Sequence, residues 1–369
     1  MKILQVTFGL TPGGAERFVV DLSNELVKEH EVVLMTLIDD QVEPEKSQFY
    51  LFDLNEKVKY KNLGIKKGGG FSMKVLWKVY KAMKQEKADV IHLHVHGVVN
   101  FCVLGIVFLC WKTKIVQTIH TDFKVGHSTP LYKVMFRTIG RIHKMRWVAL
   151  SQSNYKDMVS TYPYLLCSRI DNGRAPMIPT ASFSEVKNEV DSYKKTEETK
   201  IYLHVARCVA VKNQKMLVTA FNYFRTLGHD AVLLIIGADF DTDAGEQIKE
   251  VAKDGVFFLG TRKNIADYML NADAFCLSSL YEGLPITILE ALLSGVPVIS
   301  TPVKGALDVV KDGETGIISK DFTEEEYVKA LNKAINSLDY LKANSIAEKD
   351  SSPYTIQACA KKYVSFYNS

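Results

Sequence analysis

Short, nearly continuous apolar runs recur along the chain: Ile3 to Thr7, Glu31 to Leu37, Asp89 to His94, Lys114 to Ile119, Trp147 to Leu150, Ile201 to Val205, Val232 to Ile236, Val256 to Leu259, Ala274 to Leu277 and Val296 to Ser300. Runs of this length without polar alternation predict strands buried on both faces. Between them, apolar residues recur at three- and four-residue spacing. This predicts helices from the Thr11–Arg17 loop to about Glu29, over Ser72 to Glu86, Val98 to Cys110, Leu131 to Trp147, Phe322 to Leu338 and Tyr354 to Tyr367. The alternation implies an α/β protein whose parallel sheets are covered by helices on both faces. Residues 39–70 are charged and read as irregular. Residues 174–199 are rich in Pro, Ser, Lys and Glu, lack apolar periodicity, and read as an interdomain linker.

A length of 369 residues suits two domains, and 47% hydrophobic with 24% charged residues is ordinary for a globular protein. The net charge of +4 conceals an asymmetry: residues 1–175 hold 25 Lys+Arg against 16 Asp+Glu, a balance of +9, and the remainder carries −5. A basic half joined to an acidic half implies that the first half faces an anionic partner. The six cysteines form no C-x-x-C pair and read as small buried hydrophobes in a reducing compartment. Met1-Lys-Ile-Leu-Gln-Val-Thr reads as a strand, not a signal peptide. The longest apolar run, near Asn100 to Trp111, is too short to span a bilayer. A cytoplasmic protein without transmembrane helices is expected.

The chemistry concentrates in Ser278 to Ser300, a loop, helix, turn and strand following the Ala274 run. Pro285 suits a first helical turn, Ile286, Leu289, Leu292 and Leu293 keep helical spacing, and Gly295 with Pro297 marks the stop. The helix N-terminus attracts phosphate. Glu282 before it and Glu290 within it, separated by seven residues, can hold sugar hydroxyls and a ribose on either side, or can be solvated charges. Arg207 and Lys212 follow the Ile201 strand, where two cations can clamp a diphosphate. Gly13 and Gly14 lie in a strand–loop–helix anion site without the full G-x-G-x-x-G pattern. His92, His94 and His96 alternate and share one side of a strand. They read as a polar strand end lining a cleft, with a metal site as the alternative. His120, followed by Thr121-Asp122, closes a strand at the end that faces ligands in parallel sheets.

Tyr281-Glu-Gly-Leu-Pro285 and Glu290-Ala-Leu-Leu-Ser-Gly-Val-Pro-Val-Ile299 resemble the signature of family-four retaining glycosyltransferases. Gly13-Gly-Ala-Glu-Arg17, Asp89-Val-Ile-His92, Arg169-Ile-Asp-Asn-Gly173 and the Arg207…Lys212-Asn213 segment resemble further segments of that family. Departures are Arg174-Ala175 for the usual Val-Asp, Ala206 for a glycine, Asn264 for an acid, and Ala306 and Asp308 for glycine and glutamate. The resemblance implies the GT-B architecture: two Rossmann-like parallel-sheet domains facing a cleft. Residues 1–173 would be the acceptor-side domain and 174–352 the nucleotide-sugar domain, with helix 353–369 packing back onto the first. It implies a hexose transferred with retention from a nucleotide diphosphate, a UDP-sugar, to a saccharide in surface polysaccharide synthesis. It assigns Glu282 to donor-sugar hydroxyls, His120 to the transferred sugar, and Glu290 to the ribose. Gly14, Arg207, Lys212, Gly283, Leu284, Pro285 and Ile286 fall to the donor, and Gly260 and Arg262 to the base. No cofactor or metal is needed, because cations and a helix dipole take that role.

Asp239, Asp241 and Asp243 look like the Asp-x-Asp metal motif of the other major glycosyltransferase fold, and a solvated acidic loop accounts for them equally. A nucleotide-sugar epimerase of the same architecture and a non-catalytic nucleotide-sugar binder remain as alternatives. Nucleic acid is not an expected partner. An anionic membrane surface is: Lys74, Lys78, Lys81 and Lys84 flank Val75, Leu76, Val79 and Met83. Lys133, Arg137, Arg141, Lys144 and Arg146 flank Leu131, Val134, Met135, Ile139 and Ile142. Basic amphipathic helices lie in the interfacial plane. Lipid-linked acceptors are common in the resembled family, so reversible attachment to the inner face of the cell membrane is expected.

Overall fold

The apolar runs of the first half pair side by side as β1 (Lys2–Thr7), β2 (Glu31–Ile38), β3 (Lys59–Ile65), β4 (Val90–Leu93), β5 (Lys114–Ile119), β6 (Arg146–Ala149) and β7 (Leu166–Arg169). All pairings are parallel, in the order β3-β2-β1-β4-β5-β6-β7. The computed structural model describes residues 1–66, 72–95, 97–120, 123, 137–138, 145–349 and 352–369. They form two units, Met1–Ala175 with Pro353–Ser369, and Pro176–Ser352.

Strand β3 corrects the reading of residues 39–70 as irregular. Only Leu63 and Ile65 of this edge strand are buried, so its period of two is nearly silent in the sequence. Polar contacts hold it instead. Tyr60 donates to Asp40 Oδ2 at 2.5 Å, Asn62 Nδ2 donates to the Ile38 carbonyl at 2.7 Å, and Lys59 and Lys61 pair with the buried Glu86 at 3.3 and 3.0 Å. Along Val98 to Cys110 the expected single helix breaks at Cys102 (φ −92°, ψ 2°), giving one turn at Val98–Phe101 and a second helix at Val103–Leu109.

The Met73–Glu86 helix starts at Ser72, whose hydroxyl accepts the Val75 N–H at 3.4 Å. Leu76, Val79 and Met83 are at most 5% exposed and enter the core of this unit. Its apolar stripe is therefore not available to a membrane. The second membrane-facing stripe, from Leu131 to Arg146, lies outside the described residues except for 137–138 and 145–146, as do Lys67–Gly70, His96 and Thr121-Asp122.

The closing helix, Ile356–Asn368, belongs to the first unit, where Tyr363 and Tyr367 are fully buried. The chain enters it beside Arg174: Arg174 N–H donates to the Tyr354 carbonyl at 2.9 Å, and Ile356 N–H to the Arg174 carbonyl at 3.0 Å. Arg174 also pairs with Asp21, 1% exposed, at 2.6 Å, and Arg17 takes the other Asp21 oxygen at 2.6 Å. Two guanidinium groups thus balance one buried carboxylate, which would be costly alone. That gives the unusual Arg174 a structural role. Gly173 is required here, because a Cβ would meet Cys359 Cβ at 2.5 Å and the Thr355 carbonyl at 2.8 Å.

The second unit repeats the plan with β8 (Lys200–Val205), β9 (Ala231–Ile236), β10 (Val256–Gly260), β11 (Ala274–Leu277), β12 (Val298–Ser300) and β13 (Gly316–Ile318), all parallel, ordered β10-β9-β8-β11-β12-β13. Its core is apolar and aromatic, with Tyr202, Phe221, Phe224 and Tyr327 fully buried. The stretch read as a linker contains a helix, Phe183–Ser192, which buries only Val186 and Val190. Two apolar residues one turn apart leave little periodicity to detect. The helix Leu338–Lys349 was likewise not anticipated; it buries Leu338, Leu341 and Ser345 among polar neighbours.

Candidate active site

In both sheets the strand order reverses at the centre, between β1 and β4 and between β8 and β11. Loops leaving the carboxyl ends of such strands diverge and open a crevice for ligand. In the second unit these loops are tied together. Leu280 N–H donates to the Val211 carbonyl at 2.8 Å, and Ser278 Oγ to the Lys212 carbonyl at 2.7 Å. The result brings Lys212 and Glu282 into an ion pair, with Ser279 Oγ donating to the same carboxylate oxygen at 2.8 Å. Arg207 stands exposed nearby in the chain, its carbonyl accepting from Gln214 Nε2 at 2.8 Å.

The Ile286–Leu293 helix carries Glu290 one turn in, 6% exposed. Pro285 is the N-cap (φ −67°, ψ 126°) and not a helical residue; its fixed φ suits either position, and its carbonyl accepts the Ile288 N–H at 3.2 Å. Gly283, Leu284 and Pro285 are walled by Gly305. A Cβ at Gly305 would lie 2.4 Å from the Gly283 carbonyl, 2.9 Å from Leu284 Cα and 2.8 Å from Pro285 Cδ.

Gly260 ends β10 at φ +68°, a conformation that favours glycine, and its carbonyl accepts the Gly237 N–H at 2.9 Å. Arg262 is held by protein groups: Nε donates to Tyr268 Oη at 2.9 Å and Nη2 meets Glu189 at 3.2 Å, while Tyr268 donates to Glu189 at 2.5 Å. Glu189 was missed in the sequence because it lies in the stretch read as linker; its position next to Val190 in an i, i+4 apolar pair was the available signal. Asp239 adopts φ +68°, and Asp243 opens the Asp243–Val251 helix, capped by Thr242. An acid at the positive end of a helix dipole needs no metal to account for it. Among the described residues no group of three or more His, Cys, Asp or Glu is arranged to hold a metal ion.

In the first unit, Gly14 begins the Gly14–Leu26 helix and Gly13 is its N-cap in extended conformation. A Cβ at Gly13 would meet the Glu16 carboxylate first, at 2.3 Å. His92 and His94 stack with ring centroids 3.9 Å apart. The nitrogens of His92 bond Tyr367 Oη at 2.6 Å and Thr118 Oγ1 at 2.8 Å, and those of His94 bond His120 Nε2 at 3.2 Å and Gln5 Oε1 at 2.5 Å. All four nitrogens are thereby engaged within the protein. Phe18 of the Gly14–Leu26 helix packs on His94 and His120. Burial pushes the His92 and His94 imidazoles well below their usual range and His120 down to about 3, so all three rings are neutral at physiological pH.

Two family models match the chain: Glycosyltransferase Family 4 over residues 12–173 and Glycosyl transferases group 1 over residues 185–349. The chain belongs to the family-four glycosyltransferases and has the GT-B fold. It is 28% identical over 262 residues, 65% of this chain and 64% of the relative, to the N-acetyl-alpha-D-glucosaminyl L-malate synthase of Bacillus anthracis. It is 24% identical over 356 residues, 93% of this chain and 91% of the relative, to a Campylobacter jejuni enzyme. That enzyme is the GalNAc-alpha-(1->4)-GalNAc-alpha-(1->3)-diNAcBac-PP-undecaprenol alpha-1,4-N-acetyl-D-galactosaminyltransferase. The crystal structure of Anabaena Alr3699/HepE in complex with UDP and glucose superposes with a TM-score of 0.81 at 16% identity, covering 100% of this chain and 99% of that one.

Proposed function

We propose that this protein transfers a hexose, with retention of anomeric configuration, from a UDP-sugar to a lipid-linked saccharide in bacterial surface glycan synthesis. The observation that carries the reading is the meeting of Lys212 and Glu282 at the β8/β11 reversal, beside a helix start that bears a buried Glu290. The largest charge developing in such a transfer is that of the departing diphosphate. Fixed cations and oriented backbone N–H groups stabilise it without reorganising. Arg207, Lys212 and the helix start at Ile286 supply them in this proposal. Lys212 exchanges Glu282 for phosphate oxygen when donor arrives, which frees the Glu282 carboxylate for sugar hydroxyls. Glu290 binds the ribose, and His120 contacts the transferred sugar. Arg262, held by Tyr268 through Nε and Glu189 through Nη2, turns Nη1 to the base in this proposal. The Anabaena neighbour, crystallised with UDP and glucose, supports the donor class, and the Campylobacter relative, named for an undecaprenol-diphosphate substrate, supports the acceptor class.

The test is release of free UDP that depends on added acceptor. Glu290→Ala is expected to raise the donor KM, and Glu282→Ala to lower kcat, each by about tenfold to a hundredfold, since a hydrogen bond to a charged group is worth roughly 1.5–3 kcal/mol. Wild-type kinetics in both variants would remove the assignment. Turnover is expected to continue in excess chelator; abolition by chelator with restoration by Mn²⁺ would move the charge-stabilising role to a metal held by Asp239, Asp241 and Asp243.

Attachment to anionic membrane belongs to the same reading, on a surface different from the stripe expected from sequence. The exposed side of the Met73–Glu86 helix carries Lys74, Lys78, Lys81 and Lys84 with Met73 and Trp77, and Tyr80 meets the exposed Phe108 of the Val103–Leu109 helix at 5.5 Å. Aromatic rings among lysines suit the headgroup layer, and each lysine near an anionic leaflet contributes about 1 kcal/mol. Co-sedimentation with vesicles containing anionic lipid at low salt is expected, fading as salt screens the charges. Trp77→Ser with Phe108→Ser is expected to abolish it. Equal recovery with neutral and anionic vesicles would exclude the idea.

A further inference from the structure

Beneath the strand ends of the first unit runs a line of polar side chains that the proposed chemistry does not itself use. Gln5 of β1, His92 of β4, His94 just beyond β4 and Thr118 of β5 are each fully buried. Gln5 and His92 are register partners on adjacent strands. Buried polar groups persist in a core when their hydrogen bonds are made; here Gln5 Nε2 is left without a partner among the described residues, and the bonds that are made form a chain with a direction. Gln5 Oε1 can only accept. The 2.5 Å contact to it therefore places the proton of His94 on Nε2. A neutral imidazole carries one proton, which leaves His94 Nδ1 as a lone pair. That lone pair faces His120 Nε2 at 3.2 Å and must accept from it. His120 is then the Nε2–H tautomer, and its Nδ1 is left as an acceptor. Phe18 packs against both rings and restricts their rotation.

We propose that His94, oriented by Gln5, is a positioning residue that holds His120 in the Nε2–H tautomer, so that His120 Nδ1 accepts a hydrogen bond from a hydroxyl of the transferred sugar. The proposal rests on the reading of His120 as the sugar-contacting group. Its chemical sense follows from the reaction. Glycosyl transfer passes through an oxocarbenium-like transition state. A cationic imidazolium beside it would oppose the developing positive charge, whereas a neutral acceptor draws on the hydroxyl proton and leaves the sugar oxygen richer in electrons. Free imidazole exchanges tautomers readily; one oriented hydrogen bond, worth about 1 kcal/mol net, biases them about fivefold.

The tautomer is read directly from the imidazole ¹⁵N shifts of the full-length protein labelled with ¹⁵N-histidine, at neutral pH and without donor. A protonated, pyrrole-like Nε2 and an unprotonated, pyridine-like Nδ1 are expected for His120. Gln5→Met removes the acceptor at similar volume. It is expected to move the His120 shifts toward the tautomeric average and to lower kcat by about 1.7-fold, as the Nε2–H share falls from about five-sixths to about one-half, with the donor KM unchanged. His94→Asn, whose side-chain oxygen can stand where Nδ1 stood, is expected to keep more activity than His94→Phe. An Nδ1–H His120 in the wild type, or shifts and kcat unmoved by Gln5→Met, would overturn the proposal. A wild-type protein with the expected shifts but no acceptor-dependent UDP release would instead overturn the glycosyltransferase reading and leave the tautomer assignment in place.

Discussion

Taken from about pH 7.5 to about pH 5, the first unit is expected to lose several kcal/mol of folding stability, on the order of 2 for each of three histidines at most, and the second unit about 2 kcal/mol through one. His92, His94, His120 and His204 are held neutral by burial, with His120 pushed down to about 3 and His204 to about 4, and His92 and His94 well below the usual value. In the unfolded chain each titrates near about 6.5. Below that value the unfolded state binds protons that the folded state refuses, so stability falls as pH falls. At about pH 5 each histidine withholds about 2 kcal/mol, and the loss continues until the folded-state values are reached. Native stability is typically about 5–15 kcal/mol, so the loss is a large share of it and the first unit should unfold at markedly lower denaturant in this window. Urea titrations at stepped pH check it: the midpoint should drop steeply below about pH 6.5, and a midpoint constant down to about pH 5 would show that these rings take up protons inside the fold.

Gly237→Ala is expected to abolish folding of the second unit or to destabilise it by more than about 4 kcal/mol, a size reserved for a few mechanisms of which backbone overpacking is one. An added Cβ would lie 1.9 Å from the Ala206 carbonyl oxygen and 2.6 Å from its carbon, both main-chain atoms that cannot rotate away. Around this glycine three strand-end loops meet. Ala206 N–H donates to the Ile236 carbonyl at 3.0 Å, Gly237 N–H to Gly260 at 2.9 Å, and Cys208 N–H to Ala238 at 2.9 Å. Arg207 lies between two of these bonds, so even a variant that folds should carry a displaced Arg207 and a weakened donor site. Thermal unfolding separates the outcomes; a Tm near wild type with unchanged donor KM would contradict the crowding. Gly9 is the control, since a Cβ built there meets nothing nearer than Thr11 Cγ2 at 4.0 Å and its φ is not positive.

The sheets were legible in the sequence because their strands are buried on both faces and read as unbroken apolar runs. Strand β3 was not, because an edge strand rich in Lys, Tyr and Asn hides its period. In the second unit, Arg207, Lys212, Glu282 and Glu290 could be picked out as charges at the ends of strands or the start of a helix, where phosphate chemistry collects. Their pairing could not, because the Lys212–Glu282 contact joins residues 70 positions apart. Glu189 was passed over for a compositional reason: its helix is mostly polar, and its one apolar signal is a pair of buried valines. The partner of His92 was beyond reach, since Tyr367 lies 275 positions away and nothing local in either residue points to the other. The amphipathic lysine helix illustrates the limit of periodicity, which identifies an apolar stripe without saying whether core or lipid receives it.

The Ile356–Asn368 helix has a consequence for how the molecule is made. During synthesis an N-terminal domain ordinarily folds as soon as its sequence has emerged. Here the first unit includes Pro353–Ser369, while the second is the uninterrupted segment Pro176–Ser352. The ribosome therefore delivers every residue of the second unit before it releases the helix that carries Tyr363 and Tyr367 to Thr118 and His92. Of the two units, the one begun first is completed last. Until Pro353–Ser369 has been made, its sheet has an uncovered face over β4 and β5, and a nascent chain stalled short of that segment would present the face to chaperones and proteases.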